Sequence, residues 1–212
     1  MGKVETMMQT KLQLKPEVAL FSRKKQVGLL GGNFNPVHTG HLVVAQTVLD
    51  TLGLDRVDFL PSFLPPHVDE KKTISASHRL KMLELALADN PNFGIETTEI
   101  KRKGKSYTID TMKELQQNHP ENEYFFIIGG DMVDYLPKWK QIEELLTLVR
   151  FVGVKRPDAI SQTSYPMIYV DVPQLAISSS LIRQKVRLHQ SPRYLLPENV
   201  LHYIEEKGLY LS

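Results

Sequence analysis

"QVGLLGGNFNPVHTGHLVVAQTVLDTLG", residues 26–53, joins two hydrophobic patterns through a turn. Its first seven residues are mostly apolar and end in Gly31 and Gly32, as a buried strand closing on a glycine turn does. From His41 onward, Leu42, Ala45, Val48, Leu49 and Leu52 fall on one face of a helix, and Gly53 stops it. A strand, a glycine turn and a helix in that order is the opening unit of an α/β protein. The turn also carries His38 and His41, two imidazoles three positions apart. Such a pair can bind a metal, act in catalysis or simply pack.

The pattern repeats outward from this unit. Strands are predicted at 56–61, 93–100, 123–128, 149–154 and 167–172. Helices are predicted at about 76–89, 108–118, 139–147, 178–189 and 197–207. "EYFFII" (123–128) is continuously apolar, as in a central parallel strand buried on both faces, and it too ends in glycines, Gly129 and Gly130. The expected fold is a single α/β domain, a doubly wound parallel sheet of Rossmann-like type. In such sheets ligands bind beyond the carboxyl ends of the strands, where both glycine turns lie.

Composition narrows the function classes. The 212 residues are 42% hydrophobic and 24% charged, the balance of an ordinary globular protein. With no cysteine, disulfides, zinc–thiolate sites and cysteine nucleophiles are excluded, and a reducing, cytoplasmic location is expected. The longest apolar run, 124–128, is far too short to span a membrane. Net charge is +2, but residues 1–25 carry +4 and the rest −2, so the body does not read as a nucleic-acid binder. Residues 1–25 read as a flexible or loosely docked extension, and 26–212 as the domain. "MGKVET" matches a myristoylation pattern only formally, and one acyl chain anchors only marginally.

Several motifs fail on their letters. "GGNFNP" is not G-x-G-x-x-G, and "GKS" at 104–106 lacks the P-loop glycine because residue 99 is Glu99. Neither G-x-S-x-G nor H-E-x-x-H occurs. A metal on His38 and His41 would need further ligands, and none lies nearby in sequence. A phosphate site suits the stretch better. Gly31 and Gly32 admit a bulky anion, the helix start offers unpaired N–H groups, and both imidazoles can donate to phosphate oxygens. Gly40 leaves room between them. On these residues alone, simple helix capping by the histidines stays open.

A resemblance adds to this reading. "HTGH" after "GGNFNP" resembles the H-x-G-H signature of the nucleotidyltransferase superfamily, and "ISSSLIR" (177–183) resembles its second signature, with Ser180 in place of the usual threonine. "FLPSFLPPH", "HRLKMLELA", "KSYTIDTM", "FFIIGGDMVDYLPKW" and "YIEEKGLY" are similar to segments of the bacterial nicotinate-nucleotide adenylyltransferase family. The resemblance covers roughly residues 26 to 210. It implies adenylyl transfer from ATP to nicotinate mononucleotide in NAD biosynthesis, with Mg2+ carried on the ATP phosphates and no metal site on the protein.

The same resemblance implies roles. His38, His41 and Arg183 are the expected catalytic residues. Gly31, Gly32, Asn33, Phe34, Gly40, Gly129, Asp131, Ile177, Ser178, Ser179 and Ser180 complete the ATP site. Asn33, His67, Thr108, Tyr135, Lys138 and Trp139 are expected around the mononucleotide. Asp131 reads equally well as an N-cap, and Trp139 alone reads as core. Arg79 makes either a structural or a phosphate-facing contact. Position 68, often lysine in the family, is Val68, with Lys71 or Lys72 as replacements. Tyr107 is a weaker candidate for the pocket rim, and His78, His119, His189 and His202 read as surface residues. The rivals are a related adenylyltransferase with another acceptor and a non-catalytic nucleotide-binding regulator. A homodimer is compatible with the sequence, which does not fix the oligomeric state.

Overall fold

The computed structural model describes residues 23–64, 73–155 and 163–211. The N-terminal extension up to residue 22, and His67, Val68, Lys71 and Lys72, lie outside the described residues.

One parallel sheet of six strands organises the chain, in the order β3-β2-β1-β4-β5-β6. The strands are β1 (Lys25–Gly32), β2 (Arg56–Pro61), β3 (Phe93–Ile95), β4 (Asn122–Gly129), β5 (Arg150–Lys155) and β6 (Met167–Asp171). The order reverses between β1 and β4, whose register pairs Leu30 with Ile127. The two glycine turns therefore emerge side by side at the switch point, the crevice where doubly wound sheets bind ligands.

Alternation along the central strands feeds two cores. Leu30, Phe125 and Ile127 face one, with Ala45, Val48 and Leu49 of α1 (Thr39–Leu52) and Met82, Leu83 and Leu87 of α2 (Ala76–Leu87). Helices α7 (Ser179–Arg187) and α8 (Glu198–Glu206) close that side. Val27, Leu29, Tyr124, Phe126 and Ile128 face the other, against α4 (Thr108–Asn118) and α6 (Ile142–Leu148). This explains the unbroken apolar run in β4: both of its faces are buried.

Two predicted elements are corrected. The strand expected over 93–100 stops at Ile95, and α3 (Thr98–Arg102) follows. Its β-branched letters suit a strand, but the Glu96 carboxylate accepts both the Thr98 N–H (2.9 Å) and its hydroxyl (2.7 Å), turning the chain into a helix start. The helix expected from 139 begins only at Ile142. After β4 comes the short α5 (Gly130–Val133), then a 3-10 turn (Leu136–Lys138), and Gln141 takes a left-handed conformation (φ 54°) just before α6. Trp139 is thus held outside any helix. Among the described residues, no helix is long and apolar enough to cross a membrane.

Candidate active site

The β1–α1 turn builds the first wall. Phe34 is 2% exposed at φ 48°, and its ring fills the space over Gly32, where a Cβ would lie 2.9 Å away. Gly32 thus admits this ring as well as the backbone, and Phe34 is left only its main chain to offer a ligand. His38 is the N-cap of α1, and its backbone N–H donates to His41 Nδ1 at 3.2 Å. With Nδ1 accepting, the proton of neutral His41 sits on Nε2, available as a donor. The two rings stack at 3.7 Å and 25°, and Phe34 meets His41 edge-on at 5.0 Å. Gly40 serves this stack, because a Cβ there would lie 3.1 Å from the His38 ring.

Burial sets the charge of the pair. Desolvation brings the His38 imidazole down to about 4. It also holds His41 well below the usual histidine range, and the neighbouring His38 adds repulsion. At neutral pH both are uncharged donors. The buried His38 Nδ1 and Asn33 Oδ1 have no hydrogen-bond partner among the described residues.

The second signature packs directly on the first. Ser178 caps α7 by accepting the Leu181 N–H at 3.1 Å. The Ser179 hydroxyl donates to the Pro36 carbonyl (2.8 Å), and Arg183 donates to the Asn35 carbonyl (2.7 Å) and the Ser180 hydroxyl (3.1 Å). Ile177 packs against the core nearby. Asn35 Oδ1 in turn accepts the buried Tyr210 hydroxyl at 2.8 Å. Sequence reasoning assigned no role to Asn35 or Tyr210, since nothing in a linear pattern joins positions 175 apart.

Arg79 resolves as a structural contact. It is 1% exposed and donates to the carbonyls of Asn33 (2.8 Å) and Phe63 (3.4 Å), clamping the ends of β1 and β2 together. Asn33 also donates to the Thr73 hydroxyl at 3.2 Å. At the end of β4, Gly129 holds the N-cap position of α5, so Asp131 lies within the helix rather than capping it. The Asp131 side chain lies outside the described set.

The other candidates gather across the cleft. Trp139 is half-buried, and the rings of Phe126 and Phe151 meet it at 5.8 Å, near perpendicular. Lys140 reaches Asp110 in the first turn of α4 at 3.0 Å and lies 4.7 Å over the Tyr107 ring. Trp139 is thereby linked to the Thr108 end of α4. The Thr108 and Ile109 N–H groups precede the first helical bond, which Asp110 donates to the Tyr107 carbonyl. Tyr135 is 49% exposed, with Lys138 over its ring at 4.8 Å. Of the histidines read as surface residues, His78 is half-buried and bonds Tyr203 at 2.9 Å, joining α2 to α8. His189 and His202 are exposed, as is His119. Among the described residues, no group of three His, Cys, Asp or Glu is placed to hold a metal ion.

Known proteins match this arrangement. The family model described as "Cytidylyltransferase-like" matches residues 29–185, taking in both signatures. A relative from Enterococcus faecalis, named "Probable nicotinate-nucleotide adenylyltransferase", is 64% identical over 93% of this chain and 90% of its own. One from Streptococcus mutans with the same name is 56% identical over 201 residues, 95% of each chain, so the match reaches into the first 22 residues. Among solved structures, a nicotinic acid mononucleotide adenylyltransferase of Plasmodium falciparum, complexed with NaAD, superposes with a TM-score of 0.73. It covers 88% of this chain and 97% of that one at 18% identity, a likeness of fold. With both signatures folded against one another at the switch point and with relatives this similar, the chain belongs to the cytidylyltransferase-like nucleotidyltransferases, in the nicotinate-nucleotide adenylyltransferase family.

Proposed function

We propose that the protein transfers the adenylyl group of ATP to nicotinate mononucleotide, giving nicotinate adenine dinucleotide and pyrophosphate. The observation that carries this reading is the stacked His38–His41 pair at the start of α1, cross-tied to the Ser178–Arg183 segment. Neutral imidazoles, a guanidinium and a helix start form a donor set suited to phosphate oxygens. A phosphate oxygen of the mononucleotide attacks the α-phosphorus in line, and the bond to the β-phosphate bridging oxygen breaks. No covalent enzyme intermediate is required. The protein aligns the reactants and stabilises charge on the transferring group. His41 Nε2–H and His38 face the α- and β-phosphates, while Arg183 and the serines hold the β- and γ-phosphates. Gly31, Gly32, Asn33, Gly40 and Ile177 shape this half of the cleft, and Gly129 and Asp131 meet a ribose. Mg2+ prefers oxygen ligands, so it arrives on the triphosphate with water completing its shell.

The acceptor is read from the other wall. The Trp139 indole stacks on the pyridinium ring, a contact of about 0.5–2 kcal/mol. The Thr108 and Ile109 N–H groups, aided by the helix dipole, take the carboxylate. Asp110 in the same turn would oppose an anion, but Lys140 neutralises it. Tyr135 and Lys138 flank the entrance. The amide form keeps the stacking and loses charge-assisted hydrogen bonds, which are about twice as strong as neutral ones. Acid should therefore be preferred by at least about tenfold in kcat/KM, which takes only about 1.4 kcal/mol. A cytoplasmic enzyme acting on free nucleotides, without nucleic acid or membrane partners, follows from this reading. Pyrophosphate release from ATP, measured with a panel of mononucleotides, tests it. Equal kcat/KM for acid and amide would sink the pocket assignment.

A further inference from the structure

A buried polar cluster beneath the start of α4 takes no part in the steps above. Glu99 of α3 is 5% exposed, and burial pushes its carboxyl up. The Thr111 hydroxyl donates to it at 2.9 Å, and the nearby buried Ser106 hydroxyl favours its charged form. Thr111 itself accepts from Arg102 at 2.7 Å, and Arg102 pairs with Glu114 at 3.1 Å. Thr111 and Ser106 bracket the Tyr107–Thr108 step, one from inside the helix and one from the loop before it.

The cluster extends across the cleft. Ser106 Oγ accepts the Phe63 N–H at 3.0 Å, and the Ser106 N–H donates to the Leu64 carbonyl at 3.1 Å. The carbonyl of that same Phe63 accepts from Arg79, which also holds the Asn33 carbonyl. The carboxylate thus holds Thr111 in the turn that presents the Thr108 and Ile109 N–H groups. Ser106 beside it anchors that turn to the end of β2, and through Phe63 and Arg79 to the phosphate side. A buried carboxylate that accepts a buried hydroxyl tolerates little movement of either, because an unmade bond strands a buried polar group.

We propose that Glu99 is a positioning residue for acceptor recognition, presetting the α4 N–H groups for the carboxylate of the mononucleotide through Ser106 and Thr111. This rests on the acceptor reading above, and the experiment tells the two failures apart. Loss of the acid preference in the unmodified enzyme would remove that reading and this inference together. If the unmodified enzyme prefers the acid, the variants decide. Ser106→Ala and Thr111→Val should raise KM for nicotinate mononucleotide about tenfold, leave kcat within about threefold and leave KM for ATP within about twofold. Both should lower the acid preference, because the amide gains less from those N–H groups than the carboxylate does. Thr111→Ser, which keeps the hydroxyl, should restore KM. Glu99→Gln should behave like Ser106→Ala; should it fail to fold, the serine and threonine variants carry the test. The inference is overturned if folded variants keep the unmodified KM and preference, or if KM for both substrates rises alike.

Discussion

Around Asn35 and Pro36 the chain is tied by residues 143, 148 and 175 positions away, through the hydroxyl of Ser179, the guanidinium of Arg183 and the phenol of Tyr210. Across the cleft, Trp139 is joined to the start of α4 by an exposed lysine, whose ion pair with Asp110 spans 30 positions. The first wall is cross-braced from distant parts of the chain, with neutral histidines stacked inside it. In the second, Glu99 braces the start of α4 from beneath, but Trp139 is tied to it at the surface, where an ion pair contributes about 0–1 kcal/mol. The contrast suits the two tasks. Charge that develops in the transition state is stabilised best by donors that need not move, whereas an acceptor must enter and a larger product must leave.

The contrast can be broken most decisively at His41. Replacing it with alanine removes one preorganised donor, and kcat should fall by about a hundredfold or more. Because the ring is packed on His38 and Phe34, a modest loss of thermal stability should accompany it. Unchanged turnover in the folded variant would reduce the histidine pair to helix capping.

Trp139→Ala should have a smaller and differently shaped effect. It removes the stacking surface for either pyridine, so kcat/KM should fall about tenfold for acid and amide alike, with the preference between them kept. A collapse of the preference would mean that the indole, and not the α4 N–H groups, reads the carboxylate.

Acid should weaken the first wall before the second. Both histidine pKa values are depressed in the folded protein, His38 to about 4 from 6.5. Between those values the unfolded chain binds more protons than the folded one, so stability rises with pH and is lost as pH falls from 6.5 towards 4. Each such group contributes up to about 1.4 kcal/mol per pH unit. Denaturant unfolding of the ligand-free protein at pH 7 and pH 5 measures this, and His38→Gln should flatten the slope. Parallel slopes in the two proteins would refute the assignment.

The smallest effect is expected at the surface link. Lys140→Ala should cost less than about 1 kcal/mol of stability and raise KM for the mononucleotide only a few fold. A loss as large as that at His41 would show the second wall to be as rigid as the first.

The sequence made the braced wall easier to read than the linked one. Strand, glycine turn and helix over 26–53 announce themselves by period and punctuation, and the His38 and Arg183 segments by their signatures. The segment around Thr97 and Thr98 misled because β-branched residues favour strands, and only the folded position of the Glu96 side chain overrides that preference. The start of α6 misled because Gln141 adopts a left-handed backbone that its letter does not advertise. Glu99 carried no local mark, and Tyr210 only its place at the end of "YIEEKGLY", since their partners are fixed by the fold.

The bond from Tyr210 to Asn35 has a consequence for the order in which the protein is made. The loop bearing the first signature leaves the ribosome early, but a partner it needs emerges 175 residues later. That bond of the first wall therefore forms only near the end of translation, whatever the early strands have done by then. A chain that stops short of α8, or is clipped after it, would keep every residue of both signatures and still leave a buried asparagine without its phenol. The C-terminal turn thus completes, last of all, a bond to the loop that was made first.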